Sequence, residues 1–325
     1  MFNEAAIWPI PPVDYRSRVL KSVLSRIEDA FTDPEEDEIL DDLMNTWSDL
    51  ITRPRRSPLE EAQELSYIKY SPPGRLDSTP SQSVITSENR GLILSSGTTG
   101  FRTWEAALHL GTYLSTLTGR ARIAGKNVVE LGAGTGFLSM YCLKYLDANH
   151  VVATDRELAL LSNIQDCVSR NNLDRLKFRT CIWEWGRPFE PTGRVDADCP
   201  TSFDVALGSD LIYDTDLVPV LLSTLHDLFD NYGLKEFIIS ATLRNPKTFT
   251  TFLKSCGANP RQILPMSAVV VHTSRSLISM SLEESYFHTQ PIDFSAPPLE
   301  SQDGFFHNTN VPIRTYRITT RETQS

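Results

Sequence analysis

Hydrophobic positions follow two different rhythms along the chain. Between residues 13 and 50 they recur every three or four positions: Leu20, Val23, Leu24, Ile27, Ala30 and Phe31, then Ile39, Leu40, Leu43, Met44 and Trp47. That spacing lines one face of a helix. Pro34 and the acids around it interrupt the run, so two helices joined by a turn are predicted. A third short helix is expected from about 58 to 68. SPPGRLDSTPSQS, 71 to 83, is dense in Pro, Ser and Gly and reads as a linker. A boundary in it divides the chain into a helical N-terminal domain, 1–80, and a larger domain, 81–325. No internal repeat is visible.

After the linker, short apolar runs alternate with amphipathic ones. GLILSSG reads as a short strand and turn, and 103–117 as a helix with apolar Trp104, Ala107, Leu108, Leu114 and Leu117. NVVELG (127–132), HVVATD (150–155), LKFRTCIW (176–183), FDVALGSD (203–210) and EFIISATL (236–243) read as strands. Helices are expected at about 135–146, 157–171 and 215–230, and over PKTFTTFLKSC. Strands alternating with helices imply right-handed βαβ units and a doubly wound α/β sheet that is mostly parallel. Ligands of such sheets sit beyond the carboxyl ends of the strands. SAVVVHTS, SLISMSLEE and IRTYRITTR are candidate further strands, with 287–308 as an inserted loop and an antiparallel pair closing the sheet.

Composition narrows the function classes. With 40% hydrophobic and 22% charged residues the chain suits a globular protein with a sizeable core. No apolar run reaches the length of a membrane span. MFNEAAIWPIPP has an early acid and no basic region, so no signal peptide is expected. Five scattered cysteines (142, 167, 181, 199, 256) without a CxxC read as reduced thiols of an intracellular protein. Six histidines (109, 150, 226, 272, 288, 307) show no metal-ligand spacing, so no metal is expected. A net charge of −10 disfavours direct nucleic-acid binding. Nine Asp and Glu but no Lys or Arg fall between Glu28 and Asp42, either a solvated face or a docking surface for a basic partner.

The chemistry concentrates at strand ends. In VVELGAGTGF, 128–137, a strand runs into Gly132-Ala133-Gly134-Thr135-Gly136 and then a helix. Glycines let backbone turn sharply and approach a ligand. The dinucleotide fingerprint GxGxxG would need a glycine at its sixth position, where Phe137 stands. Glu130 just ahead of the loop would repel a pyrophosphate and tolerate a cation. S-Adenosylmethionine, with a sulfonium, an ammonium and no phosphate, fits that loop. Glu130 ranks below the glycines as a direct contact. Asp155 at the next strand end can accept both ribose hydroxyls, or cap the helix that follows. Either Trp183 or Trp185 of CIWEWG can offer a flat wall to adenine, and strand alternation puts both on one side.

These features together resemble the seven-β-strand protein lysine methyltransferases: the GxGxG loop with its preceding acid, the strand-ending Asp155, the Trp185-Gly186 pair and Asp210-Leu211-Ile212-Tyr213, a DxxY motif after the fourth strand. The helical N-terminal segment, TWEAAL and ATLRNP are most similar to the elongation factor 2 lysine methyltransferases of eukaryotes. The resemblance implies a seven-stranded Rossmann-like methyltransferase sheet, a cytosolic enzyme and folded elongation factor 2 as protein substrate. It also implies cofactor contacts from Trp104, in the helix before the first strand, and from Ser209. No membrane partner is expected, and the chain is read as a monomer.

Methyl transfer to lysine needs a neutral amine, and neutralising a free lysine at pH 7 costs about 4.6 kcal/mol. A dry channel recovers part of this cost and orients the amine. Asp210 is the candidate group that receives the incoming ammonium, and Tyr213 the aromatic wall of the channel. The competing assignments are a cap on the next turn for Asp210 and helix packing for Tyr213. Arg244 and Asn245, after the fifth strand, are candidates to touch substrate or to cap a loop. Two alternatives remain at this stage, a methyltransferase for another protein or a small molecule, and a non-catalytic interaction protein with this fold.

Overall fold

The computed structural model describes residues 8–33, 36–54, 57, 64–74, 83–89, 91, 97–189, 202–257 and 286–320. The N-terminal apolar stripe folds as expected into two helices, α1 (Val13–Glu28) and α2 (Asp41–Thr52). They close over Leu20, Leu24 and Leu50, with Val13, Ile39, Leu43 and Trp47 packed around them. Asp14 in the first turn of α1, and Asp41 and Asp42 in that of α2, complement the helix dipoles. Glu35, in the acidic stretch between them, lies outside the described residues.

The helix expected to reach residue 68 does not. Ser66–Tyr70 forms strand β1, antiparallel to β2 (Val84–Glu88), with Tyr70 opposite Val84. The apolar residues Tyr67, Ile68 and Tyr70 serve a strand there, because β2 supplies the missing hydrogen bonds. The expected boundary at residue 80 therefore falls between two paired strands.

The remaining elements are α3 (Glu105–Leu114), α4 (Leu117–Ile123), β3 (Asn127–Leu131), α5 (Phe137–Tyr145), β4 (His150–Asp155), α6 (Leu158–Arg170), β5 (Phe178–Ile182), β6 (Val205–Ser209), α7 (Leu217–Asn231), β7 (Glu236–Thr242), α8 (Pro246–Ser255), β8 (Phe287–Ile292) and β9 (Ile313–Thr320). Seven strands form one sheet in the order β5-β4-β3-β6-β7-β9-β8. The five strands β3 to β7 are parallel, and β9 is antiparallel to both β7 and β8. This is the mostly parallel, doubly wound Rossmann-like sheet expected from the alternation. Two differences stand out. Short helix α4 was not anticipated, and β8 occupies the start of the presumed 287–308 loop, where polar His288, Thr289 and Gln290 on an edge strand hide the apolar signal. SAVVVHTS, SLISMSLEE and the centre of GLILSSG lie outside the described residues.

Both faces of the sheet are covered, so alternate strand residues enter separate cores. Val128, Val151, Ala153, Val205, Leu207 and Ile238 pack with α3, α5 and α6. Val129, Val152, Ala206, Phe237 and Ile239 pack with α7 and α8. Each fully buried Val, Leu, Ile or Phe among them contributes about 1.5–3 kcal/mol relative to exposure. The β1–β2 hairpin docks on the first of these layers. Asn171 accepts from the Ile85 amide at 2.9 Å and donates to its carbonyl at 2.7 Å, and Asn163 donates to the Ser87 carbonyl at 2.8 Å. The consequence for function is placement. Leu131, Asp155, Ile182, Ser209 and Thr242 all end parallel strands at one edge.

Candidate functional site

At that edge the glycine loop turns in the left-handed region, with φ of +60° at Gly132, +55° at Gly134 and +73° at Gly136. A side chain there would be strained and would also collide. A Cβ on Gly132 would lie 2.8 Å from Leu211, and one on Gly136 would lie 2.9 Å from Ile164. Ala133 is buried and its amide donates to the Thr154 carbonyl at 2.8 Å, which ties the loop to β4.

Glu130 braces this turn from below. It is 2% exposed and accepts both the amide (2.9 Å) and the hydroxyl of Ser139 in the first turns of α5. Burial pushes its carboxyl up to about 7, against the lowering effect of the two Ser139 bonds. Enclosed in this way, it ties the start of the loop to α5.

Asp155 sits in the angle between the loop and α6. One carboxylate oxygen accepts the Gly134 amide at 3.1 Å and the other the Glu157 amide at 3.2 Å. It thus does some of the capping work suspected from sequence. A carboxylate has about four lone-pair sites, so two bonds leave capacity for hydroxyl donors. Burial raises its pKa, opposed by the bonds from Gly134, Glu157 and Arg156.

The two tryptophans separate. Strand β5 ends at Ile182, so the alternation expected to put them on one side does not extend to them. Trp183 is 3% exposed, donates to the Arg187 carbonyl at 2.9 Å and packs edge-on to Phe189 in the core. Trp185 is half-buried, and its ring edge comes within 3.6 Å of where a Gly132 Cβ would stand. Only the second borders the loop. Ser209 ends β6 one residue beyond the Leu131–Gly208 pair, which sets it beside the start of the same loop.

The other side of the crevice is built around Asp210. Its φ of +50° lies in the left-handed region, a conformation that costs a non-glycine residue roughly 1–3 kcal/mol and tends to mark functional sites. The backbone is held there by its amide on the Ser240 carbonyl at 2.9 Å. The carboxylate then crosses to the end of β7. It accepts the Thr242 amide at 2.7 Å, the Thr242 hydroxyl at 3.0 Å and the Arg244 guanidinium at 3.2 Å. These bonds run to β7 and leave the following turn uncapped by it. Burial raises its pKa, while Thr242 and Arg244 oppose the rise.

Arg244 extends this network to the helix before the first strand. Its other arm bonds Glu105 at 2.5 Å, and its guanidinium lies 4.9 Å from the centre of the Trp104 ring. Arg102 approaches the same ring at 4.8 Å, and the Trp104 indole donates to the Thr99 carbonyl at 3.1 Å. Trp104 is half-buried at the head of α3, beside the Asp210 cluster. Tyr213 is 69% exposed. Asn245 caps α8 by accepting from the Lys247 amide at 3.1 Å, which settles the loop-cap assignment for that residue.

Sequence reasoning missed the group that joins the two halves. Glu88, fully buried at the end of β2, accepts the Thr103 amide (3.2 Å) and hydroxyl (2.7 Å), and Thr103 meets Thr135 of the glycine loop at 2.7 Å. An acid ending VITSE carries no local signal of this: besides the nearby Thr86 hydroxyl, its partner is Thr103, which links it to Thr135. Elsewhere a cleft of about 650 Å³, lined by Gly125, Lys144, Asp147, Asn149 and Asn171, opens at the opposite, amino-end edge of the strands. No group of three or more potential metal ligands occurs among the described residues, and none of their helices is long and apolar enough to cross a membrane.

A family model described as lysine methyltransferase matches residues 91–258, which contain the glycine loop, Asp155 and the Asp210 cluster. A protein-lysine N-methyltransferase, EFM3 of Chaetomium thermophilum, is 40% identical over 82% of this chain and 79% of its own. The chain belongs to the lysine methyltransferase family. It is a protein-lysine N-methyltransferase, with S-adenosylmethionine as methyl donor. Human protein-lysine N-methyltransferase EEF2KMT is 25% identical over 75% of this chain and 78% of its own. Mouse EEF1A lysine methyltransferase 3 is 36% identical, over 41% of this chain and 52% of its own.

Proposed function

We propose that this enzyme methylates a lysine of translation elongation factor 2, as a cytoplasmic monomer, with the two sides of the crevice divided between cofactor and substrate. S-Adenosylmethionine supplies an electrophilic methyl, whose bond to sulfur breaks, leaving the electron pair on sulfur, as the nitrogen–carbon bond forms. Gly132, Ala133 and Gly134 give the close backbone approach that this ligand needs, and Asp155 accepts its ribose hydroxyls. Trp185 and Ser209 flank the adenine and methionine ends, Trp104 closes the mouth, and Glu130 holds the loop from behind. The fit rests on the loop itself, three glycines at positive φ with no room for a side chain at Gly132.

Asp210 receives the lysine and orients its nitrogen by hydrogen bonding, and Tyr213 forms the outer wall. The amine gives up its proton to water before attack, so the protein's part is alignment and exclusion of solvent rather than strong-base chemistry. The observation that carries this reading is the strained Asp210, whose carboxylate is held at the carboxyl edge by Thr242 and Arg244.

The choice of elongation factor 2 rests on length. The match to EEF2KMT runs over three quarters of both chains, whereas the EEF1A relative aligns over less than half of this one. A substrate resembling elongation factor 1A is the second reading, favoured by the higher identity within that shorter match. Incubation with tritiated S-adenosylmethionine and an extract lacking this enzyme separates them. Label on elongation factor 2 supports the proposal; label on elongation factor 1A transfers it to the second reading; label confined to small molecules rejects both.

A further inference from the structure

We propose that Arg244 is an electrostatic positioning residue that keeps the arriving lysine neutral, by fixing a guanidinium on the same carboxylate that the lysine approaches. This rests on the assignment of Asp210 as the lysine-receiving group.

Three observations carry it. First, Arg244 does not depend on Asp210 for its position. The 2.5 Å bond to Glu105 and the stacking 4.9 Å from the Trp104 ring hold it, and the 3.2 Å contact with Asp210 is the longer one. A lysine nitrogen can therefore take the remaining lone pair of Asp210 without evicting Arg244. Second, two cations on one carboxylate lie within about 4–6 Å of each other, close enough for each to disfavour the other's charged form. A guanidinium does not give up its proton at these pH values, so the repulsion weighs on the lysine's charged form and offsets the pull of Asp210.

Third, the local charges already balance. Arg102 and Arg244 face Glu105 and Asp210 in one bonded chain, two cations against two anions. The other neighbours do not alter this greatly. His307 faces Glu105 from the chain before β9, and its burial lowers its pKa. Arg314 of β9 stands opposite Ala241 and is exposed, and Asp214 and Asp216 in the turn after Tyr213 are also exposed. An ammonium would add an uncompensated charge to a balanced cluster beside a sulfonium, whereas a neutral amine would not. Arg244 thereby lowers the cost that dominates this chemistry, that of deprotonating lysine at neutral pH.

The test is the pH dependence of protein labelling from tritiated S-adenosylmethionine in extract lacking the enzyme, for wild type, Arg244→Gln and Arg244→Lys. Cofactor binding by calorimetry and Tm establish that each variant is folded and loaded. The expected result is an acidic limb displaced upward by about one pH unit in Arg244→Gln, with roughly tenfold loss at pH 7 and recovery near pH 9. Arg244→Lys, slower because it lacks the planar fork, keeps the wild-type midpoint. Equal loss at every pH would make the role structural, a gain at pH 7 would make Arg244 a plug that lysine displaces, and an unchanged profile would leave it no role. Each of these overturns the proposal. Label on a protein other than elongation factor 2 would reject that substrate alone, and label on no protein would reject both readings.

Discussion

The two sides of the crevice are built on opposite principles. The β3–β4 side is closed upon itself: Glu130 on Ser139, Ala133 on Thr154, Asp155 on Gly134, each bond spanning neighbouring elements of one βαβ unit. The β6–β7 side is assembled from far apart in the chain. Asp210 reaches Thr242 and Arg244, and Arg244 reaches back to Glu105 and Trp104. The first side is a shaped backbone that needs glycines. The second is a charged cluster that needs particular side chains in a particular balance. A cofactor common to many enzymes suits the first, and a substrate peculiar to one suits the second. Changes on the two sides should therefore separate cofactor binding from transfer.

The largest separation is expected for Asp210→Asn, which keeps size and tolerates the left-handed backbone. Methyl transfer should fall about 100-fold while cofactor affinity in calorimetry stays near wild type. Loss of both together would make Asp210 part of the cofactor cradle. Next is the reverse case, Gly132→Ala. A side chain at φ +60° costs roughly 1–2 kcal/mol and meets Leu211, so cofactor affinity should drop by tens of fold. An affinity equal to wild type would mean the loop does not hold the ligand.

These two sides were not equally legible in the sequence. VVELGAGTGF announced its turn because three glycines at that spacing have a backbone meaning of their own, and all three adopt positive φ. Asp210 and Tyr213 were singled out as a strand ending in an acid with an aromatic nearby, and by the DxxY resemblance. What the acid touches was hidden, because Thr242 and Arg244 lie on another strand. Arg244 was left between touching substrate and capping a loop, because its partners Glu105 and Trp104 lie far back in the chain. Trp183 and Trp185 were indistinguishable because the end of β5, one residue before Trp183, left no local mark. Ser66–Tyr70 was misread for the same reason: its partner strand lies beyond the linker. Periodicity within an element is local and readable, whereas pairing between elements is not.

A third, smaller effect probes how the cofactor side is braced. Glu130 has its carboxyl raised from 4.5 to about 7 by burial, so its stabilising contribution is complete below pH 4.5 and is lost as pH rises through 7. Thermal scans of the cofactor-free enzyme should show stability falling between pH 5 and pH 8. Glu130→Gln should reduce that fall by an amount on the order of 1 kcal/mol, leaving the part due to buried Asp155 and Asp210. An identical slope in the variant would mean that Glu130 titrates as an ordinary surface acid. Smallest of all is Tyr213→Ala. With the ring 69% exposed, Tm should not change, and KM for the protein substrate should rise only two- to fivefold, about 0.5–1 kcal/mol of cation–π contact. A loss as large as that of Asp210→Asn would give Tyr213 a direct part in transfer.

The division of the crevice is tested most directly by a crystal structure of the enzyme with S-adenosylhomocysteine. The account predicts ribose hydroxyls on Asp155, adenine against Trp185, and the sulfur pointing toward Asp210, with Arg244 still bridging Glu105 and Asp210. A ligand whose ribose avoids Asp155, or whose sulfur faces away from Asp210, would contradict it.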